Sequence, residues 1–356
     1  MRERIRALEQ RARELDPGPE TRRDLLEQCR HYAESFLQEL PLKDTYVADT
    51  GRKGFDAGEF SDEPAEFADL LESFRAEVDT TGILPASGGQ MGYIPGGGLF
   101  PSALGDFIAA VSNRYSGVAF AGPGAADMEG TLLRWMCRLV GFPETASGDL
   151  TSGGTMATLS ALVTARDAHG IDYRAIPRAC VYMTAQAHHC VGTALNVAGL
   201  KDVQRRIVPM DKRFRMDARV LRSMVAEDAE AGLQPWLVVG SAGTTDTGAV
   251  DPIMQLAKIA QEFGLWFHLD AAYGGFFILT DEGRAVLKGM GHADSIVMDP
   301  HKGLGLPYGT GAVLVRERRH LANAFHYYAD YMQDAIPAER SLDGPYSPAD
   351  YSAELT

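Results

Sequence analysis

Five short apolar runs in the second half of the chain most constrain its fold: ACVYMT at 179–184, WLVVGS at 236–241, LWFHLD at 265–270, SIVMD at 295–299 and AVLV at 312–315. Helix-like stretches separate them. Runs that stay apolar instead of alternating belong to strands covered on both faces, and parallel sheets bury their strands in this way because helices cross over each side. The pattern predicts an α/β domain with a mostly parallel sheet over residues 91–325, the last pair of strands, around PYGTG, being antiparallel. At 356 residues the chain exceeds the size at which a single core usually stops growing. Appended segments are therefore expected, a helical one over 1–90 and a terminal one over 326–356.

In the first 40 residues charged positions alternate with Ile5, Leu8, Leu15, Leu25, Leu26, Phe36 and Leu37, and Pro17-Gly18-Pro19 interrupts the pattern. Amphipathic helices that serve dimer or domain contacts are expected there. The stretch has no apolar core of the kind that a signal peptide or a membrane span needs, which places the protein in the cytoplasm. MGYIPGGGLFPS, residues 91–102, reads either as a pocket-lining loop or as a rigid surface turn. Residues 125–142 have the spacing of a helix with one buried face. A formal charge of −14, without a basic stripe, opposes nucleic acid as a partner. The four cysteines form no CxxC pair, as expected of free thiols in a reducing compartment.

In open α/β sheets ligands gather beyond the carboxyl ends of the strands, so the polar residues that end these runs matter most. Ser152-Gly153-Gly154-Thr155 opens a helical segment from Met156 to Arg166. Free N–H groups, close-approach glycines and a hydroxyl suit a phosphate, although the same residues serve as an ordinary turn and cap. Asp270 ends an apolar run in LWFHLDAAYGG. A carboxylate there needs a cationic partner, which a protonated pyridine nitrogen would supply, or it caps a helix. Ala271 and Ala272 would leave room beside such a ring.

His301 and Lys302 stand in the glycine-rich turn of SIVMDPHKGLGLPYGTG, and Lys302 is the one of seven lysines placed between an apolar run and small turn residues. Lysine loses its proton readily when desolvated, and its neutral amine forms an imine with an aldehyde cofactor; the alternative is a surface lysine on a loop. His188-His189 follow another apolar run, where an imidazole could stack on an aromatic cofactor. Zinc competes for the same region, since His188, His189, Cys190, His268 and Asp270 are all ligand types, but HxxxH, HExxH and CxxC spacings are missing. Thr244 and Thr245, after the strand ending at Ser241, offer hydroxyls to a ring substituent or to a turn.

Taken together and in this order, the motifs resemble those of the group II pyridoxal-phosphate-dependent decarboxylases, the family of aromatic-amino-acid and glutamate decarboxylases. HLDAAYGG and DPHKGLGLPYGTGAVLV carry the resemblance most specifically, and it runs from about Met91 to the last residue. It implies the aspartate aminotransferase-like large domain (fold type I), a homodimer, and pyridoxal 5'-phosphate (PLP) as cofactor. By motif position Lys302 looks like the Schiff-base lysine, Asp270 like the partner of the pyridinium nitrogen and His188 like the ring-stacking histidine. Gly154, Thr155 and His301 match phosphate positions, and Ala272 and Thr245 match positions near the ring.

The implied reaction is decarboxylation of an L-amino acid to its primary amine through an external aldimine and a quinonoid. In the family a tyrosine on a loop after the lysine protonates Cα; Tyr331 matches it, with Tyr327 and Tyr328 as competitors. The family continues past the point matching SPADYSAELT into a small C-terminal domain, so a complementary polypeptide or a cut in the loop region is expected. Two other readings stay open. One is a different PLP outcome, such as transamination or carbon–carbon cleavage; the other is a cofactor-binding subunit that is inactive alone.

Overall fold

The computed structural model describes residues 1–49, 51, 65–92, 96–326 and 346–354. The chain divides into two compact units, Met1–Gly92 and Tyr93–Thr356. In the first, α1 (Arg2–Ala12) and α2 (Pro19–Glu39) flank the Pro-Gly-Pro break, and α2 starts with Pro19 at a position where a missing N–H costs nothing. A two-stranded antiparallel ribbon, β1 (Tyr46–Val47) with β2 (Gly82–Ile83), and the helix α3 (Phe67–Glu77) complete it. Tyr32 of α2 packs edge-on to Phe74 of α3 and donates a hydrogen bond to Asp79. None of the three helices has a buried residue.

The second unit opens with α4 (Phe100–Ser112) and α5 (Pro123–Val140), and a seven-stranded sheet follows. Along the chain run β3 (Ser147–Thr151), α6 (Gly154–Ala168), β4 (Ala179–Met183), α7 (His189–Val197) and β5 (Gln204–Ile207). Then come α8 (Ala218–Glu230), β6 (Gln234–Ser241), α9 (Ile253–Phe263), β7 (Trp266–Asp270) and α10 (Asp281–Val286). The unit continues through β8 (Ser295–Met298), α11 (Pro300–Gly303), β9 (Gly311–Val315) and α12 (Arg318–Phe325). The spatial order is β3-β9-β8-β7-β6-β4-β5. Strands β5, β4, β6, β7 and β8 are mutually parallel, and β9 runs antiparallel between β8 and β3. The last pair is thus antiparallel, as its PYGTG connection implies.

The central strands divide their side chains between two cores, as the period of two requires. Phe267 and Leu269 of β7, Ile296 and Met298 of β8 and Leu314 of β9 face α5, α8 and α9. Trp266, Val297, Val313 and Val315 face α6 and α7. All five strands foreseen from apolar runs form. Two others, β3 (SGDLT) and β5 (QRRI), carry no such run. β5 lies on the sheet edge with half-buried and exposed positions alternating, where charge protects an open edge from further pairing.

Gly311 begins β9 where it crosses Gly153, whose φ of 145° lies in the region that favours glycine. A Cβ on Gly311 would stand 2.5 Å from the Gly153 carbonyl carbon, a clash with backbone that cannot rotate away. Gly311→Ala is expected to lower stability by about 1–3 kcal/mol. Thermal unfolding checks this; an unchanged midpoint would mean that the 152–155 turn shifts without cost.

Candidate active site

The carboxyl ends of β4, β6, β7 and β8 and the start of α6 enclose a cleft of about 420 Å³. It is lined by Gly154, Thr155, His188, Thr245, Asp270, Ala272, His301 and Lys302, all singled out from the sequence, together with Ser152, Ser241, Thr244, Asp299 and Tyr308 among others. Residues from Ser152 to Tyr308 meet here because most of them follow a strand or start a helix at the same sheet edge.

Gly153 caps α6 with its positive φ and no side-chain acceptor, so the first N–H groups of a 15-residue helix point into the cleft region beside Thr155. Ser152 donates from both its N–H (3.0 Å) and its hydroxyl (2.8 Å) to Glu354. The segment 346–354 therefore returns to this rim. Tyr346 OH donates to Glu129 at 2.9 Å, the Ala119 N–H donates to Ser347 Oγ at 3.1 Å, and His326 Nδ1 lies 3.2 Å from Asp350 Oδ1, all holding this segment in place.

Asp270 is the last residue of β7, and its Oδ1 accepts from the Ala272 N–H at 3.1 Å, which turns the chain sharply at the strand end. One pleat behind it His268 is fully buried, its Nδ1 2.8 Å from Ser295 Oγ, and burial pushes its pKa down to about 4. His188 caps α7: its Nδ1 accepts from the Cys190 N–H at 3.3 Å. Burial, helped by His189, lowers its pKa. The ring is thus held neutral with its proton on Nε2, a flat apolar face suited to stacking. Among the described residues no group of three or more His, Cys, Asp or Glu is arranged to hold a metal.

Lys302 sits in the four-residue helix α11, which Asp299 precedes. Its Nζ is 2.8 Å from Asp299 Oδ2, and its side chain is 26% exposed toward the cleft. His301 is buried, with Nδ1 hydrogen-bonded to the Thr310 carbonyl. A carbonyl only accepts, so Nδ1 carries the proton and Nε2 faces Asp299 Oδ2 at 3.9 Å. Gly96 and Leu99 pack on this turn: a Cβ on Gly96 would stand 1.7 Å from the His301 carbonyl oxygen, and the Leu99 N–H donates to the Gly305 carbonyl at 2.8 Å. They support the lysine turn from outside the cleft. Thr244 is buried and bonded to Thr247 at 2.7 Å, whereas Thr245 is exposed at the rim. Tyr327, Tyr328 and Tyr331 lie outside the described residues.

The arrangement fits PLP by its donors: an anion-seeking helix start, a lysine amine, a carboxylate at a strand end and a neutral imidazole, all on one cleft. Sequence reading missed Asp299. Its signal was the Asp-Pro dipeptide three residues before Lys302, which reads first as a turn.

Residues 53–343 match the pyridoxal-dependent decarboxylase conserved domain. An aromatic-L-amino-acid decarboxylase of Bacillus atrophaeus is 35% identical over 266 residues, which cover 75% of this chain and 54% of that protein. L-2,4-diaminobutyrate decarboxylase of Rhizobium meliloti (strain 1021) is 34% identical over 242 residues, 67% of this chain and 48% of its own length. The crystal structure of Oryza sativa TDC with PLP and tryptamine is similar at a TM-score of 0.80 and 25% identity, over 89% of this chain and 68% of that one. The chain spans about half the length of the curated relatives it matches. With a fold type I α/β architecture, a cleft at the sheet's carboxyl edge and a family match across 53–343, this chain belongs to the pyridoxal-dependent decarboxylase family, whose cofactor is PLP.

Proposed function

We propose that this chain decarboxylates an L-amino acid to its primary amine and CO2, with PLP held on Lys302. The observation that carries this reading is the convergence of Lys302, Asp270, His188 and the α6 start on one cleft. PLP supplies an aldehyde for attachment and a ring that accepts the electron pair left by departing CO2. Lys302 Nζ provides the attaching amine, while Asp270 keeps a proton on the ring nitrogen through its charge. The neutral face of His188 packs on the ring. Gly154, Thr155 and His301 bind the phosphate, with Ala272 and Thr245 beside the ring. Tyr331 returns a proton to Cα.

A homodimer is part of the proposal, supported by α4, which exposes Phe100, Leu104, Phe107, Ile108 and Val111. A cytoplasmic location is supported by four free cysteines. Among the described residues no helix is long and apolar enough to cross a membrane.

The chain loaded with PLP and offered aromatic, acidic and diamino L-amino acids is expected to release CO2 and the matching amine in equal amounts. A keto acid or an aldehyde as the main product would sink decarboxylation. PLP binding without turnover of any of them would leave a cofactor-holding subunit.

A further inference from the structure

Residues 347–352 are buried in succession, although only Pro348–Asp350 has regular structure, one turn of 3-10 helix. They belong to the 346–354 segment, which lies against Asp149 of β3, a residue that is 1% exposed. The Ser352 hydroxyl hydrogen-bonds to the Asp149 carboxyl group, while its Oδ2 is buried without a partner. Two further carboxyl groups face it, Glu129 of α5 and Glu354 of the segment itself. Glu129 accepts from Tyr346 OH at 2.9 Å, and Glu354 accepts from the N–H and the hydroxyl of Ser152. Neither Asp149 nor Glu129 has a Lys or Arg beside it among the described residues.

The other neighbours do not supply a positive charge to Asp149. Val313 of β9 is its partner in the sheet, and the rings of Tyr346 and Tyr351 stack at 5.4 Å. Arg134 of α5 is exposed and bonded to Thr131, Arg318 of α12 faces Tyr351, and His326 pairs with Asp350 at 3.2 Å.

Three carboxylates do not gather without a cation where water cannot screen them, so the most deeply buried of them keeps a proton. Burial pushes the pKa of Asp149 up to about 8, against the pull of the Ser352 hydroxyl and with the help of Glu129 and Glu354. Ser352 and Glu354 arrive with the segment, so part of that burial and repulsion exists only while the segment is seated. We propose that Asp149 is a proton switch for this segment: as a neutral acid it lets residues 346–354 seat on β3 and α5, and its ionisation releases them and frees both Ser152 donors at the start of α6. Ser152 lines the cleft, so the switch sets how many donors its rim offers.

Seated, the acid keeps its proton up to about pH 8; released into water, it gives the proton up in the ordinary carboxylate range. Seating therefore takes up one proton between those limits. It is strongest below them and weakens by about tenfold per pH unit through them. Above about pH 8 both states are ionised and the dependence ends.

The test is hydrogen–deuterium exchange of the intact chain from about pH 6 to about pH 8, each rate being corrected for that of an unfolded peptide, with β4 as internal reference. Protection of residues 347–352 is expected to fall about a hundredfold across that interval, with the Ser152 amide losing protection alongside and β4 unchanged. Asp149→Asn, neutral at every pH, is expected to keep the segment seated throughout. Glu129→Gln keeps an acceptor for Tyr346 but removes one repelling charge, and is expected to shrink the fall. Protection in the wild-type chain that does not change with pH overturns the proposal without any variant. A fall that persists in Asp149→Asn assigns the switch to another group, such as the His326–Asp350 pair, and overturns it as well. So does a segment that loosens while Ser152 stays protected.

Discussion

Lys302→Ala is expected to eliminate borohydride-trapped pyridoxyl label from the 300–310 turn and to lower decarboxylation by about three orders of magnitude or more. Among the described residues that line the cleft Lys302 is the one lysine, and losing such a covalent tether forfeits a large part of the orientation advantage. In the structure Lys302 is anchored to Asp299 at 2.8 Å and partly exposed to the cleft, so it is both held and reachable. The check is the visible spectrum with PLP before and after reduction, followed by peptide mass mapping. Label retained at another lysine, or turnover near wild type, would contradict the assignment.

The same substitution has a consequence for stability. Alanine removes the cation from a buried carboxyl group whose pKa burial already raises. A group that is harder to ionise when folded binds more protons in the native state than in the unfolded one. Its contribution therefore falls as pH rises through and above the ordinary carboxylate range. The variant is expected to lose thermal stability toward neutral pH more steeply than wild type, and parallel profiles would show that Asp299 finds another partner.

Asp270→Asn is expected to leave PLP attached to Lys302 but to reduce turnover by about 10²–10³-fold, the usual effect of removing one preorganised charge from a reacting centre. Asparagine keeps the size and can keep the acceptor for the Ala272 N–H, now at 3.1 Å from Oδ1, so the turn after β7 should survive. What it loses is the negative charge proposed to hold a proton on the ring nitrogen. Steady-state kinetics with the best substrate of the panel, beside the spectrum of the bound cofactor, measures both parts. Wild-type turnover would give Asp270 a purely structural role at the strand end.

Much of this was legible in the chain. Burial on both faces forces long apolar runs, so β4, β6, β7, β8 and β9 announced themselves, and the polar residues at their ends marked the site. β3 and β5 did not. Ser147-Gly-Asp-Leu-Thr forms a strand because β9 supplies its pairing partner and Gly148 fits under the Val313 carbonyl, where a Cβ would stand 2.4 Å away. Gln204-Arg-Arg-Ile forms one because β4 offers an edge. Neither cause is local, so no local signal carries it.

The sequence by itself determined the α/β class, the order of the strand-end motifs and the residue types that PLP chemistry needs. Strand burial and turn chemistry are written in short stretches of chain. Only the tertiary structure decided which of those residues share a cleft, that burial lowers the pKa of His188, and that Asp299 stands between Lys302 and the α6 start. Those properties depend on burial and on distances between residues far apart in the chain. A carboxyl group three positions before a lysine becomes a buried, half-satisfied partner only when another helix closes over it.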